Sequence, residues 1–176
     1  LNLVLGLYSP QKGEILVDGK NLETLEKSAY RRRIAIVPQQ TVLFSGSLWN
    51  NLVYGLNYVS KESVMDVIRQ VGLEDLVAEL PDGLDSAILE NGGNLSGGQR
   101  QAVTLLMATL SCPKLLLLDE PVANLDGAAE EQVLTALKRL AAQGTAIVYV
   151  GHQLDKMEQF CNQICFIKNG KVIRGK

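Results

Sequence analysis

Two continuous apolar runs constrain this chain more than any other feature. Residues 114–121 read "KLLLLDEP" and residues 145–152 read "TAIVYVGH". Neither alternates apolar with polar residues, so each must be buried on both faces, the pattern of strands in a parallel sheet covered by helices. Between them, "GAAEEQVLTALKRLAAQG" carries acidic residues early and basic residues late, the polarity that suits a helix dipole. Strand, helix, strand in that order predicts an α/β fold with a mostly parallel sheet. "RIAIVPQQ" is a third buried strand, stopped by Pro38. "GEILVDGK" is a short strand running into the Asp18-Gly19 turn, and "QICFIKNGKVIRGK" is a hairpin through Asn169-Gly170. The opening "LNLVLGLY" has helical spacing with no cap before it.

The middle of the chain changes period. In "SKESVMDVIRQVGL" the residues Val64, Val67, Ile68 and Val71 make one apolar stripe behind a Ser60 cap, and "EDLVAEL" is a shorter helix ending at Pro81-Asp82-Gly83. The expected organisation is a core of residues 1–46 and 112–176 with a helical subdomain, 47–111, inserted between its strands. With 176 residues, 47% of them hydrophobic and 20% charged, the chain has enough apolar material for one real core, which excludes disordered and fibrous classes. No apolar run approaches the about 20 residues of a bilayer span, so a membrane role has to come through a partner. Cys112, Cys161 and Cys165 are too few, and odd in number, for a disulfide framework. A single histidine argues against a zinc site and leaves buried thiols. The net charge of −2 gives no basic footprint for nucleic acid, and the arginines of "YRRRIAIV" are a solvated lead-in to a strand.

In an open parallel sheet, ligands bind at the carboxyl ends of the strands. Four leucines deliver Asp119 and Glu120 to such an end. An aspartate there can hold magnesium, and the glutamate beside it can orient or deprotonate the water that attacks a phosphate. "TAIVYVGH" puts His152 at a second strand end, and "RIAIVPQQ" puts Gln39 and Gln40 at a third, as amides able to meet a metal and water. "GGNLSGGQRQ" sets Ser96, Gly97 and Gly98 at the start of the helix "QAVTLLMATL". Unpaired N–H groups, the positive dipole end and a hydroxyl on bare backbone are equipment for an anion, and phosphate is the usual one. Singly, each feature has an ordinary structural explanation, such as a serine N-cap or surface acids; together they point to a phosphate site.

The order "IVPQQ", "LSGGQRQ", "LLLLDEP", "ANLD", "VGH" resembles the nucleotide-binding domain of ATP-binding-cassette (ABC) transporters, over nearly the whole sequence. The resemblance implies a P-loop NTPase-like (RecA-like) core whose inserted helical subdomain carries the signature motif. It assigns Gln39 to the Q-loop, beside metal and water, Asp119 to the Walker B magnesium position, and Glu120 to the catalytic base. Asp126 falls in the D-loop and His152 is the switch histidine near the γ-phosphate. Ser96, Gly97, Gly98 and Gln99 form the signature, which caps the ATP held by a second nucleotide-binding domain in a head-to-tail dimer. The implied cofactors are ATP and Mg2+. The implied partners are that second domain, identical or not, and the transmembrane domains of an exporter, at the cytoplasmic face of a membrane. "LFSGSLWNNL" and "LPDGLDSAILENGGNLSGGQRQ" are similar to the exporter branch. One departure stands out: no G-x-x-G-x-G-K-[ST] phosphate loop occurs in these residues. By the resemblance Leu1 falls just beyond such a loop, so the expectation is a segment of a longer exporter, an ATPase when intact and inactive as residues 1–176 alone. The alternative is a non-hydrolysing partner half that lends its signature to another subunit's ATP; Glu120 and His152 favour the former.

Overall fold

A short helical turn opens the chain and is closed at Gly6, whose N–H donates to the Leu3 carbonyl while that of Leu7 reaches Asn2, both at 3.0 Å. Gly6 sits at φ +63°, the left-handed conformation this helix ending requires. In the computed structural model, which describes residues 1–123 and 125–174, β1 (Leu16–Val17) and β2 (Lys20–Asn21) then form a tight hairpin. Asp18 and Gly19 both have positive φ, as the Asp-Gly pair foretells for a two-residue turn. Next comes α1 (Lys27–Arg31), whose N-terminal amides of Ser28 and Ala29 donate to the Glu26 carboxylate. From this helix Arg31 reaches back to the carbonyls of Leu5 and Gly6, at 3.1 and 2.7 Å, and so ties the opening turn down.

β3 (Ile34–Val37) enters the core and is followed by β4 (Gly46–Ser47), α2 (Leu48–Leu52), α3 (Lys61–Val71), α4 (Glu74–Ala78), β5 (Ala87–Ile88) and α5 (Gly97–Leu110). The remainder alternates: β6 (Leu115–Asp119), α6 (Gly127–Ala142), β7 (Ala146–Val150), α7 (Leu154–Phe160), then the hairpin of β8 (Cys165–Lys168) and β9 (Lys171–Arg174). β3, β6 and β7 form a parallel sheet in that order, with Val37 beside Leu118 and Leu118 beside Tyr149. The face carrying Val37, Leu116, Leu118, Ile147 and Tyr149 belongs to the main core, with α5 against β3 and α6 against β7. On the opposite face Leu117 is fully buried, but Ile36, Val148 and Val150 stay about 40% exposed (37%, 42% and 41%).

The helical block follows its sequence signals. The Ser60 hydroxyl accepts the Ser63 N–H at 3.1 Å, and Val64, Ile68 and Val71 are buried while Val67 is half-buried. β4 and β5 pair antiparallel and bring residue 47 beside residue 87. Buried Asn51 fastens the preceding loop, accepting from the Phe44 N–H and donating to its carbonyl, both at 2.8 Å. Two features escape the sequence reading: β4 and β5 are two residues each, too short to show a period, and α7 is a single short helix. The hairpin expected at Asn169-Gly170 is found as the two-stranded β8–β9 sheet. Among the described residues no helix is long and apolar enough to cross a membrane.

α5 and α6 touch at their first turns, where a Cβ added to Gly98 would lie 2.5 Å from the Ala129 Cβ. Neither atom is on a flexible side chain, so the helices would have to part. Gly98→Ala is expected to cost about 1–3 kcal/mol of unfolding free energy by overpacking. Adding Ala129→Gly should recover most of it, a coupling that a denaturant double-mutant cycle measures directly.

Candidate functional site

At the end of β6 the chain turns sharply. The Glu120 N–H donates to the Val150 carbonyl at 2.9 Å, which fastens the residue to the end of β7. Glu120 has φ +49°, a left-handed conformation that costs a non-glycine residue of order 1–2 kcal/mol. Its side chain is 27% exposed and both carboxylate oxygens are engaged. Gln39, just beyond β3, donates from Nε2 to Oε2 at 2.9 Å, and His152, just beyond β7, lies with Nδ1 3.0 Å from Oε1. An ionised carboxylate only accepts, so in this contact Nδ1 carries a proton. Thus three strand ends, separated by 81 and 32 residues, meet on one carboxylate. Asp119 is level with Val150 in the sheet and half-buried beside this group. Beneath it, burial pushes the Tyr149 phenol up to about 12, with Glu130, Cys161 and Glu120 adding to the effect, so the ring stays neutral. Gly151 makes room for that ring: a Cβ there would lie 2.7 Å from Tyr149 Cε1.

The second group gathers at the start of α5. Ser96 caps the helix, its hydroxyl accepting the Gln99 N–H at 3.1 Å, while the Gln99 side chain accepts the Ser96 N–H at 3.0 Å. This reciprocal pair is a capping box. Gln99 also donates from Nε2 to Glu79 Oε2, at 3.2 Å, across from the end of α4. Asp126 caps α6, accepting the Ala129 N–H at 2.9 Å. The two helix starts share an open groove of about 590 Å³ lined by Ser96, Gln99, Glu79, Asp126, Glu131 and Thr135, among others. Gly97 is unencumbered: a Cβ there would meet only Leu125, at 3.8 Å. Of the "ANLD" segment, Asn124 lies outside the described residues. Among the described residues no hydrogen bond joins this group to the one on Glu120.

The residues singled out from sequence therefore fall into two sets. Gln39, Glu120 and His152 are in contact, with Asp119 adjoining. In the other set Gln99, Asp126 and Gly98 all have work inside their own chain, as brace, cap and helix contact. Glu79 was missed, since nothing local in "EDLVAEL" marks it as the partner of a glutamine 20 residues on.

A model of the ABC transporter family matches residues 1–123, well over half of the chain. The chain belongs to the ABC transporter family. Over 172 residues this ABC domain is 35% identical to the human mitochondrial iron-sulfur clusters transporter ABCB7, covering 98% of the chain and 23% of that protein. It is 37% identical over 175 residues to ABC transporter B family member 28 of Arabidopsis thaliana, covering 98% and 24%. A solved bacterial Atm1-family ABC exporter with ATP bound superimposes with a TM-score of 0.86 at 29% identity, covering 97% of this chain and 30% of that one. The chain thus spans less than a third of the length of these relatives. The α/β fold with a parallel sheet expected from the apolar runs is the one found, the P-loop NTPase-like form that the resemblance implied is borne out with it, and the family's domains bind ATP.

Proposed function

We propose that this ABC domain is the ATP-hydrolysing engine of an exporter, with Glu120 as its general base. The observation that carries the reading is the convergence of Gln39 and His152 on the two oxygens of the Glu120 carboxylate, at 2.9 and 3.0 Å. Two donors from separate strands hold the carboxylate in one orientation, as a base needs if it is to take a proton from a water at a fixed position. Because His152 gives Nδ1 to Glu120, its Nε2 can donate to a phosphate only when the ring carries a second proton. Gln39 uses its amide nitrogen on Glu120 and keeps its carbonyl oxygen for a metal. The Asp119 carboxylate and that amide oxygen are hard donors suited to Mg2+, which commonly takes one or two protein oxygens and completes its shell with phosphates and water. When bound, the metal would supply charge neutralisation to the phosphates.

The signature end serves a different ATP in this reading. Ser96 and Gly97 present a hydroxyl, bare backbone and a helix start to the nucleotide of a second ABC domain, so that ATP draws two domains together and hydrolysis releases them. Residues 47–111 act as the helical subdomain and 1–46 with 112–176 as the core. Val42, Phe44, Tyr54 and Leu89 are 56%, 46%, 67% and 59% exposed, and the rings of Phe44 and Tyr54 lie 4.7 Å apart. This exposed apolar surface, drawn from the loop that Asn51 fastens and from the chain just beyond α2 and β5, is the proposed seat of the exporter's transmembrane domains, which place the domain at the cytoplasmic face of a membrane.

Three outcomes test the reading. In a full-length transporter carrying this domain, Glu120→Gln should retain ATP binding and lower turnover by the ~10²–10⁴-fold typical of a lost general base; near-normal ATPase would remove Glu120 from the role. Gly97→Asp fits its own fold, since the site has room and an acid in the first turn suits the helix dipole. It should nevertheless block ATP-driven closure, and in a mixed dimer the damage should appear at the unmutated subunit's nucleotide. Residues 1–176 alone, once shown folded by circular dichroism, should neither bind ATP in calorimetry nor release phosphate, because they contain no phosphate loop to position the triphosphate.

A further inference from the structure

The signature helix starts under a handicap. Gly97 and Gly98 occupy its first two positions, and each glycine costs a helix about 1 kcal/mol relative to alanine, so the turn that must present Ser96 is prone to fray. What holds it is Gln99. Its side chain closes the capping box on the Ser96 N–H and its own N–H is taken by the Ser96 hydroxyl, at 3.0 and 3.1 Å. Because that hydroxyl accepts from Gln99, its proton is left for an outside acceptor such as a phosphate. The orientation of this donor therefore depends on where the Gln99 side chain is held, and the group that holds it is Glu79 Oε2, which accepts from Gln99 Nε2 at 3.2 Å.

Glu79 is oddly placed for its own helix. It is the C-cap of α4, where the helix dipole disfavours a carboxylate and where its backbone N–H already bonds to Asp75. The side chain is exposed, so the contact contributes little to stability. An exposed acid at the wrong end of a helix, bonded to the one side chain that closes the signature cap, makes sense as an orienting contact.

We propose that Glu79 is a positioning residue for the signature: through Gln99 it locks the cap of α5 and thereby aims the Ser96 hydroxyl and first-turn amides at the partner's nucleotide. The proposal rests on the assignment of Ser96 to a nucleotide held in trans. Glu79 acts through the neutral Gln99 and needs only to accept a hydrogen bond, so its charge is dispensable and its carbonyl-type oxygen is not.

The test uses a purified full-length transporter with this domain and steady-state ATPase measured as kcat and KM for Mg-ATP. Glu79→Ala should raise KM by about threefold to tenfold, the scale of one lost, partly screened hydrogen bond, with kcat much less affected. Glu79→Gln, whose amide oxygen still accepts from Gln99, should restore KM. Adding Glu79→Ala to Gln99→Ala should cause no further change, and the thermal unfolding midpoints of the Glu79 variants should match the parent. A parental KM in Glu79→Ala, a Glu79→Gln variant as impaired as the alanine, or additive effects in the double variant would each overturn the proposal. Ser96→Ala separates the levels. If it is impaired while Glu79→Ala is normal, only the role of Glu79 falls; if Ser96→Ala itself leaves KM and ATP-driven closure unchanged, the in-trans signature falls and the proposal with it.

Discussion

Leu116, Leu117 and Leu118 have no exposed surface, and the rest of the structure is arranged around the need to keep them so. Full burial of each is worth about 1.5–3 kcal/mol, available only if β6 is flanked on both edges and covered on both faces. β3 and β7 supply the edges, and because both run parallel to β6, their carboxyl ends finish on the same side. The meeting of side chains on Glu120 follows from that alignment. Gln39, Glu120 and His152 are remote in sequence, yet each is the first or second residue beyond a strand of one sheet, so the burial of three leucines delivers all three to one place.

The helix starts show a second level of the same economy. Ser96 and Asp126 each cap their helices through a side-chain oxygen, and the contact of Gly98 with Ala129 keeps the two starts side by side. A segment rich in glycine and serine is thereby given a fixed shape with Leu95 as its buried apolar anchor. The cost is a dependence on neighbours: α6 for spacing and α4, through Glu79, for orientation.

What the sequence disclosed was what local patterning encodes. "KLLLLDEP" and "TAIVYVGH" announced parallel strands because no polar residue interrupted them, although only β6 is buried on both faces and β7 leaves Val148 and Val150 exposed. Asp18-Gly19 and Asn169-Gly170 announced hairpins because each turn needs two residues with positive φ. The Gln39, Glu120 and His152 group was legible through strand ends and through a family pattern, although neither gave its hydrogen bonds. Contacts between distant residues left no local trace. The two-residue pairing of β4 with β5, the reach of Gln99 to Glu79 and the reason Gly98 is glycine all depend on three-dimensional neighbours. Gly98 is instructive: its sequence context suggests room for a phosphate, whereas the structure shows a methyl group of the adjoining helix in the space a side chain would take.

The left-handed backbone of Glu120 bears on how such a domain can change over generations. Glycine or asparagine would relieve the conformation at residue 120, so a search guided by folding stability alone, whether in the laboratory or by genetic drift after activity has ceased to matter, is drawn toward those residues. On the proposed role of Glu120 as a base, a glutamate kept there against this pull is what selection for turnover would leave. On the same reading, its replacement by glycine or asparagine in a descendant chain would mark a lineage in which binding had outlived hydrolysis.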